Sequence, residues 1–157
     1  MTFLMWNILL ALSWAGLTEE VTVINLAMGF IVGFVILFVV RGLLRPSRYF
    51  LKVQQVCNLG AVFAWELLVA NLRIAYEVLT PTHYMKPGVV AIPLDVKTDV
   101  EITLLANLIT LTPGTLSLDV SQDRRVLYIH AMYVDDIEEL RRSIKEGFEK
   151  RVEEVLR

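Results

Sequence analysis

The stretch that decides the fold is Val21–Val40, VTVINLAMGFIVGFVILFVV. It contains no charged residue and is as long as the roughly 20 residues that a helix needs to cross a bilayer. A shorter apolar run, Phe3–Leu17 (FLMWNILLALSWAGL), precedes it, and only Leu17–Glu20 lies between the two. We therefore predict a transmembrane helical hairpin. A cleaved signal peptide is the alternative for the first run, but a basic start and a small-x-small cleavage site are both missing.

The composition agrees with a membrane protein that carries a polar C-terminal domain. Of the 157 residues 55% are hydrophobic, and none of the 15 Lys and Arg precedes Arg41. A net charge of −2 gives no basic footprint, so we expect no nucleic-acid partner. The single cysteine, Cys57, excludes an internal disulfide and a multi-thiolate metal site.

A short basic loop, Arg41–Lys52 (RGLLRPSRYFLK), follows the second run and completes a first domain of residues 1–52. Short basic loops stay on the cytoplasmic side of a membrane. This rule places both ends of the hairpin inside the cell and the chain in the cell membrane.

The third apolar stretch, Val53–Leu79, carries a polar stripe. Gln55, Glu66, Arg73 and Glu77 fall within a narrow arc of one helix face. Such a helix either lies in the membrane interface or crosses the bilayer with the stripe toward partner helices. A third crossing would put the C-terminal domain outside, so topology favours an amphipathic interfacial helix over residues 53–80.

Glu66 is the costly residue of this stripe, because a carboxylate among apolar side chains must be paired, protonated or hydrated. A hydrogen bond to Arg73 or to a partner subunit is one explanation. A place on a proton path is the other.

From Pro81 the pattern changes to short alternating segments, which predict a cytoplasmic β-α-β-β-α domain over residues 81–157. The fold class is thus a membrane protein of α+β type, with the hairpin and the third helix ahead of this domain. The predicted elements are a strand at Val89–Val96, a helix opened by a Thr98-x-x-Glu101 capping box, strands at Thr115–Ser121 and Val126–Val134, and a last helix opened by Asp135-x-x-Glu138.

The sequence offers no set of catalytic residues. His83 and His130 lack the spacing of a metal site, and no phosphate-binding or dinucleotide-binding glycine motif occurs. We therefore expect no enzyme activity, no metal and no cofactor. Gly29 and Gly33 do form G-x-x-x-G in the second apolar run, a spacing that lets two membrane helices approach closely.

The most distinctive string is a corner, Thr110 to Thr115, in which a helix stops and a strand begins directly. Its proline blocks the helix, its glycine permits positive φ, and its threonines can bond freed backbone groups. The corner residues are Thr110, Thr112, Pro113, Gly114 and Thr115.

The run ANLITLTPGTLSLDV (Ala106–Val120), followed by DRRVLYIHAMYV (Asp123–Val134), resembles the E-type component of Mrp-type multisubunit Na⁺/H⁺ antiporters. The resemblance covers nearly the whole chain. It implies a non-catalytic accessory subunit that supports assembly and stability of a complex exchanging Na⁺ for protons. It also implies other antiporter subunits and membrane lipids as partners, and a structural or assembly role for the corner.

The residues agree with such a role, since the chain is too small to form a pore. We expect Gly29, Gly33, Glu66, Arg73 and Glu77 to face partner subunits. Two other classes stay open: a membrane-anchored regulatory or ligand-sensing domain, and, as the weakest, a membrane-bound enzyme.

Overall fold

The computed structural model describes residues 3–40, 48–80 and 85–157. The chain divides into two compact units, Met1–Gln54 and Gln55–Arg157, which we describe separately. Most of the predicted basic loop, including Arg41 and Arg45, lies outside the described residues.

The first unit contains two antiparallel helices, α1 (Phe3–Leu17) and α2 (Val23–Val40). α2 is long and apolar enough to cross a membrane, whereas α1 is a shorter apolar helix. The connection between them is held by Asn25, whose side-chain amide donates to the Glu20 carbonyl at 2.5 Å and accepts from Trp14 Nε1 at 3.0 Å. Most apolar side chains of both helices face outward, as expected of helices that contact lipid or other membrane helices.

The third helix, α3 (Tyr49–Leu79), starts in the first unit and continues into the second. Its 31 residues make a helix about 46 Å long, and it also passes the length and hydropathy test for a membrane span. Within the second unit one side of α3 packs on the C-terminal domain, through Leu59, Val62 and Phe63. The opposite side carries an outer stripe of exposed apolar residues, Trp65, Leu68, Leu72, Tyr76 and Leu79.

A small three-stranded sheet forms the centre of the second unit, and this part of the fold prediction is confirmed. Its strands are β1 (Gly88–Pro93), β2 (Thr115–Val120) and β3 (Val126–Ala131), in the order β1-β3-β2 with antiparallel pairing throughout. Pro93 is the last residue of the edge strand β1, a position that tolerates a missing ladder donor. The register of β2 shifts between Ser117 and Asp119.

Helices cover one face of the sheet. They are α4 (Asp99–Leu111), α5 (Ile137–Ile144) and α6 (Lys150–Leu156), the last two joined by a π-helical turn at Lys145–Glu149. The core between sheet and helices consists of buried aliphatic and aromatic side chains: Val90, Ile92, Val96, Ile102, Leu105, Ile109, Leu127, Ile129, Ile144, Phe148 and Val152.

Capping explains where the helices of this domain start. The predicted capping box at the start of α4 is confirmed, since Thr98 accepts from the Glu101 amide and Glu101 accepts from the Thr98 amide. The predicted start of α5 is wrong by one residue. Asp136, not Asp135, caps the helix by accepting from the amides of Glu138 and Glu139. Asp135 instead forms an ion pair with Lys86 at 2.7 Å.

The π-helical turn accounts for the spacing of the buried residues on the last helix. Ile144, Phe148 and Val152 follow each other at four residues, a spacing that drifts around a regular α-helix by about 40° per step. A wider turn reduces that drift and keeps all three side chains on the core.

Candidate functional site

A cavity of about 350 Å³ lies in the second unit, between α3, the end of α4, the corner after α4, and α5. We call it the α3 cavity. Its floor is apolar and is formed by the buried side chains of Ile109, Ala131, Ile144 and Phe148. Its rim carries five charged side chains, Glu66, Arg73, Asp135, Asp136 and Glu139. Among the described residues no group of acidic, histidine and cysteine side chains is arranged to hold a metal ion.

The corner supplies one wall of this cavity, through Thr112, Pro113, Gly114 and Thr115. The prediction that its threonines bond freed backbone groups is confirmed. The Thr112 hydroxyl donates to the Leu108 carbonyl at 2.9 Å, and the Thr115 hydroxyl lies 2.6 Å from the Ile109 carbonyl. Two carbonyls that the end of α4 leaves without helical donors are therefore satisfied locally.

The remaining corner residues connect α4 to the sheet. The Thr110 hydroxyl accepts from the Ser117 amide at 3.1 Å, so it serves β2 and does not line the cavity. Gly114 has φ +90°, which a side chain would strain, and its carbonyl accepts from the Met132 amide at 2.8 Å. The corner is thus fixed by hydrogen bonds on both sides.

Two residues of the predicted polar stripe contact Tyr133, a residue of the cavity wall. Glu77 is buried and accepts a hydrogen bond from the Tyr133 hydroxyl. This bond is the largest contribution that raises the pKa of Tyr133 above its ordinary value. The Arg73 guanidinium lies over the Tyr133 ring, 5.3 Å from its centroid, in a cation–π arrangement.

Glu66 lies on the same side of α3 and is half-buried in the cavity wall. Its side chain forms no ion pair or hydrogen bond with another described residue, and the expected bond to Arg73 is not formed. The same holds for the side chain of Glu139 across the cavity. The polar stripe of α3 therefore faces this chain's own C-terminal domain, whereas the sequence had suggested partner subunits.

Gly29 and Gly33 occupy a separate place, in the hairpin. A Cβ at position 29 would lie 2.8 Å from Trp14 Cβ and 3.0 Å from the Ala11 carbonyl oxygen. A Cβ at position 33 would overlap Asn7 Oδ1 and lie 3.0 Å from Leu10 Cβ. The glycine pair thus packs against α1 of the same chain, so the surface that we expected partner subunits to occupy is filled by α1.

The structure brings the corner together with Glu66 and Arg73, two features that the sequence presents more than thirty positions apart. It also adds cavity residues that sequence reasoning missed, above all Tyr133 and Glu139. Tyr133 looked like one more residue of a strand, and Glu139 like part of a solvated helix face. Only the packing of α3 on the domain gives them a common place.

Comparison with known proteins decides the family. The family model described as Na⁺/H⁺ ion antiporter subunit matches residues 7–155. The E-type component of the Na⁺/H⁺ antiporter of Alkalihalophilus pseudofirmus is 40% identical over 95% of this chain and 94% of its own length. The chain belongs to the E family of Na⁺/H⁺ antiporter subunits. Its counterpart in Bacillus subtilis is 39% identical over 96% of both chains.

Solved structures agree with this family. A chain in the structure of the Mrp complex from Dietzia sp. DQ12-45-1b is similar with a TM-score of 0.50 and 28% identity, over 60% of this chain and 89% of that one. A chain of the membrane-bound sulfane sulfur reductase, an archaeal respiratory membrane complex, is similar with a TM-score of 0.57 and 30% identity, over 96% of both. The resemblance to the E-type component of Mrp antiporters is confirmed: this E-family chain is a membrane protein that partners with other subunits of a multisubunit complex.

Proposed function

We propose that this E-family chain is a non-catalytic accessory subunit of a Na⁺/H⁺ antiporter complex and supports its assembly and stability. The observation that carries the proposal is the chemistry of the hairpin. α1 and α2 contain no Asp, Glu, Lys, Arg or His. Membrane segments that move protons or Na⁺ use ionisable side chains facing a polar path. The hairpin has none, but it has a tightly packed glycine pair and outward apolar faces suited to contact with neighbouring helices or lipid.

Glu66 is the residue that would give the chain a transport role. Its position in the α3 cavity, opposite the C-terminal domain's own Glu139 and beside the corner, favours a role in protein contacts. Glu66→Gln removes the charge at nearly constant volume. The proposal expects normal Na⁺/H⁺ exchange per assembled complex for this variant, measured in everted membrane vesicles. Slowed or pH-shifted exchange at normal assembly would assign Glu66 to the proton path and contradict a purely accessory role.

The membrane topology belongs to the same proposal. The C-terminal domain lies in the cytoplasm, and α3 lies in the membrane interface with its outer stripe toward the lipid. Two observations support this arrangement. The inner side of α3 packs on a polar domain along residues 59–77, and the outer stripe exposes side chains such as Trp65 and Leu72 at 64% and 62%. A helix with one side on a polar domain and one apolar side satisfies both at a membrane surface.

The test of membership in the complex is a pull-down of the tagged full-length chain from its native membrane in mild detergent. We expect several polytopic subunits to co-purify in a fixed ratio. A chain that purifies alone, or only with copies of itself, would contradict the proposal and favour a membrane-anchored ligand-sensing domain.

A further inference from the structure

We propose that the α3 cavity receives a Lys- or Arg-bearing loop segment from another subunit of the complex. This inference rests on the proposed function, because it requires both partner subunits and a cytoplasmic C-terminal domain. It adds to that function the surface used for assembly and the chemistry of the segment bound there.

The shape and lining of the cavity define what it can hold. A volume of about 350 Å³ accommodates one or two side chains and not a whole folded element. The floor, which includes Ile144 and Phe148, offers an apolar surface to a hydrocarbon stem. Lys and Arg bury an apolar stem of three or four methylenes while keeping the charged group at a polar rim.

The charge of the rim selects a cation. Asp135 is already paired with Lys86 at 2.7 Å, and Asp136 caps α5. Arg73 is the only basic residue among the described residues that line the cavity, and it lies over the Tyr133 ring. This leaves Glu66 and Glu139, on opposite sides of the cavity, with no ion pair to another described residue. A guanidinium or ammonium group between them would supply the missing counter-charge beside an apolar floor.

The partner's chemistry follows from membrane topology. Short cytoplasmic loops of multi-spanning proteins carry an excess of Lys and Arg. A cytoplasmic domain of a membrane complex therefore faces basic loops of its neighbours, and an acidic-rimmed cavity complements them in charge. The described residues show no arrangement for a metal ion, so a basic side chain is the cation that fits this lining.

The first test is site-specific cross-linking in the intact complex. A photo-reactive amino acid replaces Ser143, an exposed residue that lines the cavity. The matched control carries it at Glu146, three residues later and outside the lining of this cavity. We expect Ser143 adducts with a basic loop of one other subunit, identified by mass spectrometry, and none from position 146. Adducts with lipid or with a small molecule alone, or none above the control, would overturn the inference.

The second test reverses the charge of the cavity. The double variant Glu66→Lys with Glu139→Lys is compared with the control Glu146→Lys by pull-down from native membranes. Since breaking a buried interfacial charge pair strongly weakens association, we expect the recovery of partner subunits to fall roughly tenfold or more for the double variant only. Equal recovery for both variants would overturn the inference.

A milder pair keeps the test sharp if the charge reversal disturbs folding. Glu66→Gln with Glu139→Gln removes no ion pair among the described residues, so we expect an unchanged thermal unfolding temperature and a lower cross-linking yield from position 143. An unchanged yield would contradict the role of the two carboxylates. The proposed function fails separately, when the unsubstituted chain recovers no other subunit at all.

Discussion

Tyr133 donates its hydroxyl hydrogen bond to the buried carboxylate of Glu77 and thereby connects the end of β3 to α3. The residues are 56 positions apart in the sequence. Glu77 belongs to a helix that passes a membrane-span test, yet its partner belongs to the polar domain. Their contact indicates that this side of α3 is committed to the domain and not to lipid.

The Glu77–Tyr133 bond contributes to the stability of the second unit. Because Tyr133→Phe leaves a buried acceptor with one partner fewer, we expect a loss of about 1–3 kcal/mol. Thermal or denaturant unfolding of the purified full-length chain in detergent measures it, with Tyr128→Phe on the exposed sheet face as control. In a double-mutant cycle with Glu77→Gln, we expect a coupling of about 0.5 kcal/mol or more. Purely additive effects would show that the two side chains do not interact.

Gly29→Ala should separate the two helices of the hairpin. The added methyl group would meet the Ala11 carbonyl oxygen and Trp14 Cβ, neither of which moves without the backbone of α1. We expect a cost of about 1–3 kcal/mol, as for overpacking of a filled core. At position 33 the nearest obstacle is the end of the Asn7 side chain, so Gly33→Ala should cost less.

The control for the glycine pair is Gly16→Ala, since a Cβ at position 16 would have no neighbour within 4 Å. This variant should leave the unfolding temperature of the detergent-solubilised chain unchanged or raise it, because Ala is the better helix former. Equal behaviour of Gly29→Ala and Gly16→Ala would contradict the close approach of α1 and α2.

Glu101 gives the C-terminal domain a predictable dependence on acid. Hydrogen bonds from the amides of Thr98 and Lys97, together with Arg157, lower the pKa of Glu101 from 4.5 to about 2. A lowered pKa in the folded state stabilises the fold above about pH 4.5 and loses that effect as the pH falls toward 2. We expect Glu101→Gln to be less stable than the unsubstituted chain at pH 7, with the difference shrinking between pH 4.5 and 2.

The comparison of the two chains isolates Glu101, because all other carboxylates are shared. Circular dichroism of the full-length chain in detergent across this pH range provides the measurement. A stability difference that stays constant down to pH 2 would mean that the carboxylate charge does not matter to the fold.

The depth of Trp65 distinguishes an interfacial α3 from a membrane-crossing α3. Residue 65 lies next to the midpoint of Tyr49–Leu79, so a crossing helix would place it near the centre of the bilayer. An interfacial helix buries its apolar side only about 5–10 Å into the headgroup and acyl boundary. With Trp6→Phe and Trp14→Phe, we expect Trp65 fluorescence to be quenched by lipids brominated near the headgroup. Stronger quenching by lipids brominated at the acyl ends would show a third crossing.

Local signals in the sequence were sufficient for many of the elements. The Thr98-x-x-Glu101 box and the Pro113–Gly114 stop predicted where α4 begins and ends, because both act through bonds within a few residues. The cap of α5 was misplaced by one residue, since Asp135 and Asp136 are chemically equivalent caps and the choice depends on Lys86, far away in the sequence.

The site could be predicted only in pieces. The polar stripe of α3 and the corner were both recognised, but periodicity shows which residues share a face and not what that face contacts. Partner subunits, lipid and the chain's own domain all satisfy a polar stripe equally well in sequence. The contacts of Phe63, Arg73 and Glu77 with the C-terminal domain are what selected the last of these.

The measurement that tests the account most directly compares native membranes with and without this chain. It quantifies the assembled antiporter complex on native gels and the Na⁺/H⁺ exchange rate per assembled complex in vesicles. We predict that loss of the chain lowers the amount of complex and leaves the rate of each remaining complex unchanged. A normal amount of complex with abolished exchange would contradict the account and give this chain a direct part in ion transport.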